Sequence, residues 1–305
     1  MIVTEEIPAA LAGERLDRIV SLVADVSRSQ ARELVAAGGV SVDGSAAPSG
    51  KVRLLQGQTV TVDLSMIPGE ELPSADPSIV FSVLHEDDHC AVIEKPAGLV
   101  VHPAPGHPDG TLVNGLLHRW PDVASVGEPA RPGIVHRLDV GTSGLMVVAL
   151  TQDAYEGLVA ALSAHDVRRE YLALAWGRFE SASGVIDAPI GRDPRDPLRM
   201  AVVRDGKFAR TKFEVEREFV EPVDLSLVRC SLETGRTHQI RVHLAAVGHP
   251  VVGDPTYGGV RPSMPAPRPM LHAQALAFDH PVTGRHMEFA AALPNDMAAV
   301  ISRCS

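Results

Sequence analysis

Aromatic residues make up only 4% of this 305-residue chain, cysteine occurs three times, and no apolar run approaches the roughly 18 residues that suggest a membrane-spanning helix. Each scarcity excludes something. Cys90, Cys230 and Cys304 are odd in number and far apart, which argues against a disulfide framework and a cysteine-rich zinc site and leaves reduced, structural thiols as the expectation. The N-terminus MIVTEEIPAA carries Glu5 and Glu6 where a secretory signal needs positive charge, so a cytoplasmic protein with no membrane partner is expected. No Walker loop, GxGxxG fingerprint or HExxH pair is present, and GTSGL lacks the GxSxG spacing of a serine-hydrolase elbow. Positive charge is short as well: the formal net charge is -10, which excludes an indiscriminate binder of phosphate backbones. The arginines nevertheless cluster, at Arg168 and Arg169, at Arg192, Arg195, Arg199 and Arg204, and at Arg236 and Arg241, so an acidic total can hide a basic face.

What is present is most informative in GIVHRLDVGTSGLMVVAL, residues 133–150. Asp139 stands between Arg137 and a glycine-flanked turn, with an apolar run on each side that predicts two buried strands. Gly133, Gly141 and Gly144 permit tight or positive-φ turns, so Asp139 is placed at the mouth of a cleft, where a reactive carboxylate belongs. An Asx-turn is the structural alternative for any isolated Asp-x-Gly.

Residues 14–64 read as a compact module of two helices followed by strands. ERLDRIVSLVADV spaces Leu16, Ile19, Val20 and Val23 helically, SRSQARELVAAGG repeats the pattern from an N-cap at Ser27, and VSVDG and QTVTVDL alternate as strands. The order resembles the S-four-type RNA-binding domain. The resemblance implies that Arg15, Arg18, Arg28 and Arg32 face structured RNA, although Glu14, Asp17, Asp25 and Glu33 offset them. MIPGEELPSADP has the composition of an exposed linker, giving domains at 1–65 and 79–305 joined by 66–78. Beyond it, SIVFSVLHED, CAVIEKPAG, GLMVVAL, REYLALAWG, ARTKFEVERE and DLSLVRCSLE read as strands and TQDAYEGLVAALSAHDV as an amphipathic helix. With few helices interposed, the expected class is α+β, a mixed and largely antiparallel sheet with flanking helices and a catalytic cleft, plus the small N-terminal α/β domain.

Four segments stand out: EKPAGLVVHPAPGHPDGTLVNGLL (94–117), the Asp139 loop, RREYLALAWG, and ETGRTHQIRVHLAAVGHPVVGDPTYGG (233–259). HRLD followed by TSGL, with GRTHQIRVH downstream and LHAQALAFDHPVTG near the end, resembles the RluA-type pseudouridine synthases of large-subunit ribosomal RNA across residues 80–300. The activity this implies is isomerisation: the bond from ribose carbon 1 to base nitrogen 1 breaks and the same carbon joins base carbon 5. Neither redox equivalents nor hydrolytic water is needed, so no cofactor and no metal is expected, and a carboxylate is a sufficient central group. Attack on the ribose, attack on the base, and elimination to a glycal intermediate all remain open, with the glycal route preferred.

Asp139 is the expected catalytic carboxylate. The resemblance assigns Arg137 to refill the stack vacated by an everted nucleotide, an extrusion that costs a few kcal/mol, and Tyr171 to stack on the uracil, worth about 1–3 kcal/mol. It makes Arg236 the salt-bridge partner that favours the charged form of Asp139, and Leu271 the apolar wall on the other side of the base. His136, with His102 and His107, is expected to order loops or contact phosphate. The pairs His238/His243 and His102/His107 are each spaced by five, which does not share a helix face and argues against a metal site. Asp254 and Tyr257 are expected to be structural or RNA-adjacent. The expected partner is RNA, large-subunit ribosomal RNA or a pre-ribosomal particle, bound by a monomer. The alternative is a non-catalytic RNA-binding assembly factor on the same fold.

Overall fold

The computed structural model describes residues 1–67, 72–104 and 106–305 in two compact units, Met1–Glu71 and Leu72–Ser305. In the N-terminal unit, β1 (Ile2–Glu6) precedes α1 (Leu16–Val23) and α2 (Arg28–Ala36), and β2 (Val40–Val42), β3 (Ser45–Ala46) and β4 (Thr59–Asp63) follow. The two helices start and stop as the sequence indicates. Ser27 caps α2 in a reciprocal box with Gln30, the Ser27 side chain accepting from the Gln30 amide and the Gln30 side chain accepting from the Ser27 amide. Leu16, Ile19, Val20, Ala31 and Leu34 meet Val60 and Val62 in a core of their own. Strand β1, which the sequence reading omits, pairs antiparallel with β4 at the sheet edge, and only Val3 of its five residues is even partly buried.

Asp17 has no exposure, yet it is charged and lies on the first turn of α1. Three guanidiniums meet it: Arg15 at 2.6 Å, Arg28 at 3.1 Å and Arg32 at 3.1 Å. The Arg15 hydrogen bond, against the cost of burial and with help from Arg32 and Arg28, holds the Asp17 carboxyl well below the usual carboxylate range.

The second unit is built on a nine-stranded sheet. Its elements are β5 (Ser82–Glu86), β6 (Cys90–Lys95), α3 (Leu112–Arg119), β7 (Ser143–Ala149), α4 (Gln152–Ala164), β8 (Arg168–Trp176) and β9 (Ser183–Asp187). A short hairpin of β10 (Ile190–Arg192) and β11 (Met200–Val202) stands apart from the sheet. There follow β12 (Arg210–Phe219), β13 (Leu225–Leu232), α5 (Gln239–Ala246), β14 (Leu271–Asp279), β15 (His286–Ala290) and α6 (Asn295–Ile301). The strand order is β5-β6-β7-β14-β8-β13-β12-β9, with β15 also paired to β14. Among the described residues only β7 and β14 run parallel, and every other pairing in this sheet is antiparallel, so the class is mixed α+β as expected.

Two expectations need correction or division. The arm before the HRLD sequence is not a strand: residues 133–135 make a single bridge, Ile134 to Val148, because the chain must turn almost at once to present Asp139. Of the expected linker 66–78, residues 68–71 lie outside the described residues, whereas the Ser74 carbonyl accepts from the Asn114 side chain of α3.

The parallel pair sets the position of the site. Gly144, at φ 115°, lies so close to β14 that a Cβ would fall 2.2 Å from the Ala273 carbonyl oxygen, so only glycine lets β7 dock there. Among the described residues no helix is long and apolar enough to cross a membrane.

Asp17→Ala strips the counter-charge from three converging guanidiniums and is expected to lower the unfolding temperature of the N-terminal unit by about 5 °C or more, read by calorimetry. Acid is expected to act in the same direction. The folded-state pKa is depressed, so the contribution is complete above the ordinary carboxylate range and is lost progressively as pH falls below about 4.

Candidate active site

A cleft of about 690 Å³ opens in the second unit, and Asp139, Tyr171, Arg236, Arg137, His136 and Leu271 all line it. These residues come from widely separated segments. The sheet gathers them: Tyr171 is on β8 with Ala273 of β14 as its register partner, and Leu271 begins β14 opposite Ala173. Tyr171 is 6% exposed and Leu271 3%, so each is a wall of the cleft rather than a rim. Burial, with Asp139 adding to it and Arg169 opposing, pushes the Tyr171 phenol up to about 12.

Asp139 sits in the turn that leads into β7, where its carbonyl accepts from the Thr142 amide at 3.0 Å. Neighbouring segments pin that turn from both sides. The Gly98 amide donates to the Val140 carbonyl at 2.7 Å, and Arg268 Nη1 donates to the carbonyls of Gly141, Pro269 and Leu271, each at 3.1 Å. Arg268 is itself held by a bidentate pair with Asp296 at 2.6 and 2.9 Å. Beneath the turn, the fully buried Lys95 donates to the carbonyls of Pro96 and Leu99 at 2.8 Å. Burial lowers the Lys95 pKa to about 7 even though Asp139 opposes the shift.

The partner of Asp139 differs from the expected one. Arg241 Nη1 donates to Asp139 Oδ2 at 3.1 Å, while the exposed Arg236 side chain donates from Nε to the Phe208 carbonyl at 2.9 Å. The reason is local. His238 takes a left-handed φ of 58° and ends the loop, Gln239 begins α5, and only the arginine inside the helix is carried to the carboxylate. Arg236 remains on the loop, its amide tied to Gln239 Oε1 at 3.0 Å.

Arg241 does not serve Asp139 alone. Its Nε and Nη2 fork onto the wholly buried Asp254 at 2.7 and 3.0 Å, and Asp254 Oδ1 also accepts from the amides of Thr256 and Tyr257. Burial disfavours the guanidinium charge, but Asp254 and Asp139 outweigh it, and the Arg241 pKa is raised. Asp254 is therefore a positioning residue that aims the remaining nitrogen at Asp139. Neither Arg241 nor Asp254 was given this role from sequence, where the two arginines of GRTHQIR look interchangeable.

The remaining expected residues fall in two places. Arg137 is exposed at the cleft, and its Nη1 donates to His102 Nε2 at 3.1 Å, while His102 Nδ1 donates to the Pro103 carbonyl at 3.0 Å. His136 accepts from the Val147 amide through Nε2 at 3.1 Å, and burial, then the nearby Arg169, drives its pKa down to about 3. Arg15, Arg18, Arg28 and Arg32 belong to the N-terminal unit. There Arg18 pairs with Glu14 at 2.8 Å and the other three converge on Asp17.

Among the described residues the His238/His243 pair is committed to other partners. His243 uses both ring nitrogens, on Thr211 and the Ala188 carbonyl, and His238 bonds the Tyr257 hydroxyl. Asp87, Cys90 and His280 bring ligand atoms within 4.8 Å of one another. His280 Nδ1, however, accepts from the Val282 and Thr283 amides, so its proton is on Nε2, the nitrogen that faces Asp87, and no lone pair is left there for an ion.

The fold is a mixed sheet whose central strands wall a cleft in which Asp139 is paired with a buried guanidinium. Residues 89–246 match the RNA pseudouridylate synthase family, and residues 14–60 match the S4 domain. The chain is 45% identical over 289 residues to the uncharacterized RNA pseudouridine synthase YlyB of Bacillus subtilis, which spans 94% of this chain and 93% of that protein. It is 44% identical over 309 residues to ribosomal large subunit pseudouridine synthase D of Xanthomonas campestris, covering 97% and 90%. Among solved structures, human RNA pseudouridylate synthase domain containing 1 is similar with a TM-score of 0.60 at 28% identity, over 75% of this chain and 91% of that one. The chain belongs to the RNA pseudouridylate synthase family. It is an isomerase that converts uridine to pseudouridine in RNA.

Arg241→Lys keeps the charge but not the fork, and is expected to lower kcat by about 10–100-fold. Arg236→Ala is expected to leave kcat within about threefold of wild type, with any loss appearing in KM. Release of tritium from RNA labelled at uracil carbon 5 measures both; equal damage in the two variants would contradict the assignment of the ion pair.

Proposed function

We propose that this protein isomerises specific uridines of large-subunit ribosomal RNA, with Asp139 as the reactive carboxylate. The observation that carries the reading is convergence. A flat phenol (Tyr171), an apolar side chain (Leu271) and an exposed guanidinium (Arg137) line one cleft with a carboxylate fixed by Arg241. The ribosomal substrate rests on relatives named ribosomal large subunit pseudouridine synthase D, which share 40–44% identity with this chain.

In this reading the target nucleotide swings out of its helix and the uracil enters between Tyr171 and Leu271, where stacking offsets part of the unstacking cost. Arg137 leaves His102 and occupies the gap, its planar head suited both to stacking and to hydrogen bonding with the orphaned base. Asp139 then acts at the sugar-base junction. The C1′–N1 bond breaks, the freed base turns, C1′ bonds to C5, the C5 proton passes to solvent and N1 takes one up, so atoms balance without a co-reactant. The four arginines of the N-terminal unit supply RNA contact through residues 1–65, with 79–305 as the catalytic domain, and the protein works as a monomer. A non-catalytic clamp has no use for an aimed carboxylate in an open cleft.

The test is tritium release from 5-labelled large-subunit ribosomal RNA. Asp139→Ala and Asp139→Asn are each expected to lower turnover by about 10³-fold or more while RNA affinity stays within about threefold. Near-normal release by Asp139→Asn would refute the role of the carboxylate, and a wild-type protein silent on ribosomal RNA but active on transfer RNA would refute the substrate.

A further inference from the structure

Strand β8 carries two successive arginines with opposite fates. Arg168 is exposed and satisfied, at 2.5 Å from Glu288 and 3.6 Å from Glu170. Arg169 is 8% exposed and lines the cleft, yet among the described residues no carboxylate pairs with it and its Nε is a buried donor without an acceptor. Strand alternation explains the split: residues 168 and 170 share one face, and residues 169 and 171 share the other. Its strand neighbour Glu170 is on the other face, taken by Arg168 and Arg229. Room for the guanidinium comes from Gly235, where a Cβ would come within 2.9 Å of Arg169 Nη1.

A second donor lines the same cleft unpartnered. His136 accepts from the Val147 amide through Nε2, so the proton resides on Nδ1, which is buried and has no acceptor among the described residues. Two donors without acceptors, one of them a full positive charge, describe a place prepared for an electron-rich group that arrives with the substrate.

We infer that Arg169 is a catalytic residue that binds the carbonyl oxygens of the everted uracil and stabilises the negative charge the base acquires during isomerisation. The inference rests on the proposed reaction in this cleft but not on its route. Elimination to a glycal and displacement at the ribose both expel the base with the C1′–N1 electron pair, which spreads onto the uracil oxygens. Attack on the base likewise drives an electron pair onto a ring carbonyl. In every case negative charge grows on a base that enters on the strand side that Arg169 shares with Tyr171. The competing occupant, a backbone phosphate, is charged before the reaction and lies outside the stack, whereas Arg169 is as deep as the phenol that receives the base. An unpaired guanidinium is costly in the free enzyme, and that is the condition under which its field is fully available to a transient anion.

The experiment uses the full-length protein with Arg169→Met and Arg169→Lys, 5-tritiated ribosomal RNA, RNA affinity as a function of salt, and thermal unfolding. Arg169→Met is expected to lower kcat about 100-fold while KM, Kd and the salt dependence stay within about threefold. Its unfolding temperature is expected to equal or exceed that of wild type, because an unpaired buried charge has been removed. Arg169→Lys is expected to recover about tenfold of the lost kcat. Three results overturn the inference. Unchanged kcat means that the charge is idle, and loss confined to Kd with a shallower salt dependence means a phosphate contact. A marked fall in unfolding temperature means a structural role. Failure of the underlying reaction is separate, since it appears as an inactive wild type.

Discussion

One guanidinium shared by two carboxylates governs the site. Arg241 commits two of its nitrogens to the sealed Asp254 and offers the third to Asp139, which is still partly open to the cleft at 17% side-chain exposure. A single ion pair would leave both partners free to swing. The Asp254 fork removes that freedom, so the direction from which Asp139 is held is set by backbone geometry more than ten residues away in sequence. The triad also carries one more negative than positive charge, and of its two carboxylates only Asp139 is open to the cleft. Two further residues, Thr256 and Tyr257, donate their amides to Asp254 and so reach Asp139 through the arginine.

The turn bearing Asp139 is rigid for complementary reasons. Its amide and carbonyl groups are claimed by Gly98, Thr142 and Arg268, and the strand that leaves it is locked against β14 by a contact that admits no side chain at Gly144. Arg268 repeats the logic of Arg241 in a structural setting. Asp296 fixes its fork, and the free nitrogen gathers three carbonyls from the Asp139 turn and the start of β14. Since Leu271 starts that strand, the wall of the cleft and the Asp139 turn are parts of one hydrogen-bonded unit.

Much of this was legible in the residues. Apolar runs such as GLMVVAL and REYLALAWG mark central strands because burial on both faces demands them, and they are buried almost throughout. The HRLD and TSGL sequences place Asp139 in a turn because glycine and a short polar run permit little else. The choice between Arg236 and Arg241 was not legible, since it depends on where α5 begins, and that boundary is made by a left-handed His238, a conformation uncommon for any residue with a side chain. Nor could the residues reveal which of Arg168 and Arg169 faces the cleft, because strand phase has to be known to within one residue. The pairing of β7 with β14 joins residues 129 positions apart through a contact between His272 and Ser143, beyond the reach of any short-range pattern. Strand β1 escaped for the opposite reason: an edge strand with four exposed residues shows no alternation to detect.

The two units use the same pair of side chains with the stoichiometry inverted. In the second unit two carboxylates divide one arginine, and the excess negative charge faces the cleft. In the N-terminal unit three arginines divide one buried carboxylate, so two positive charges are left over, on side chains 34%, 51% and 61% exposed. Asp17 thus does not cancel the positive charge of the three side chains; it gathers flexible guanidiniums into one place and restricts their rotamers. A chain with a net charge of -10 can in this way carry a positive surplus in one unit and a negative surplus at a cleft in the other, because each local surplus is set by how many charges share a buried partner and not by the total.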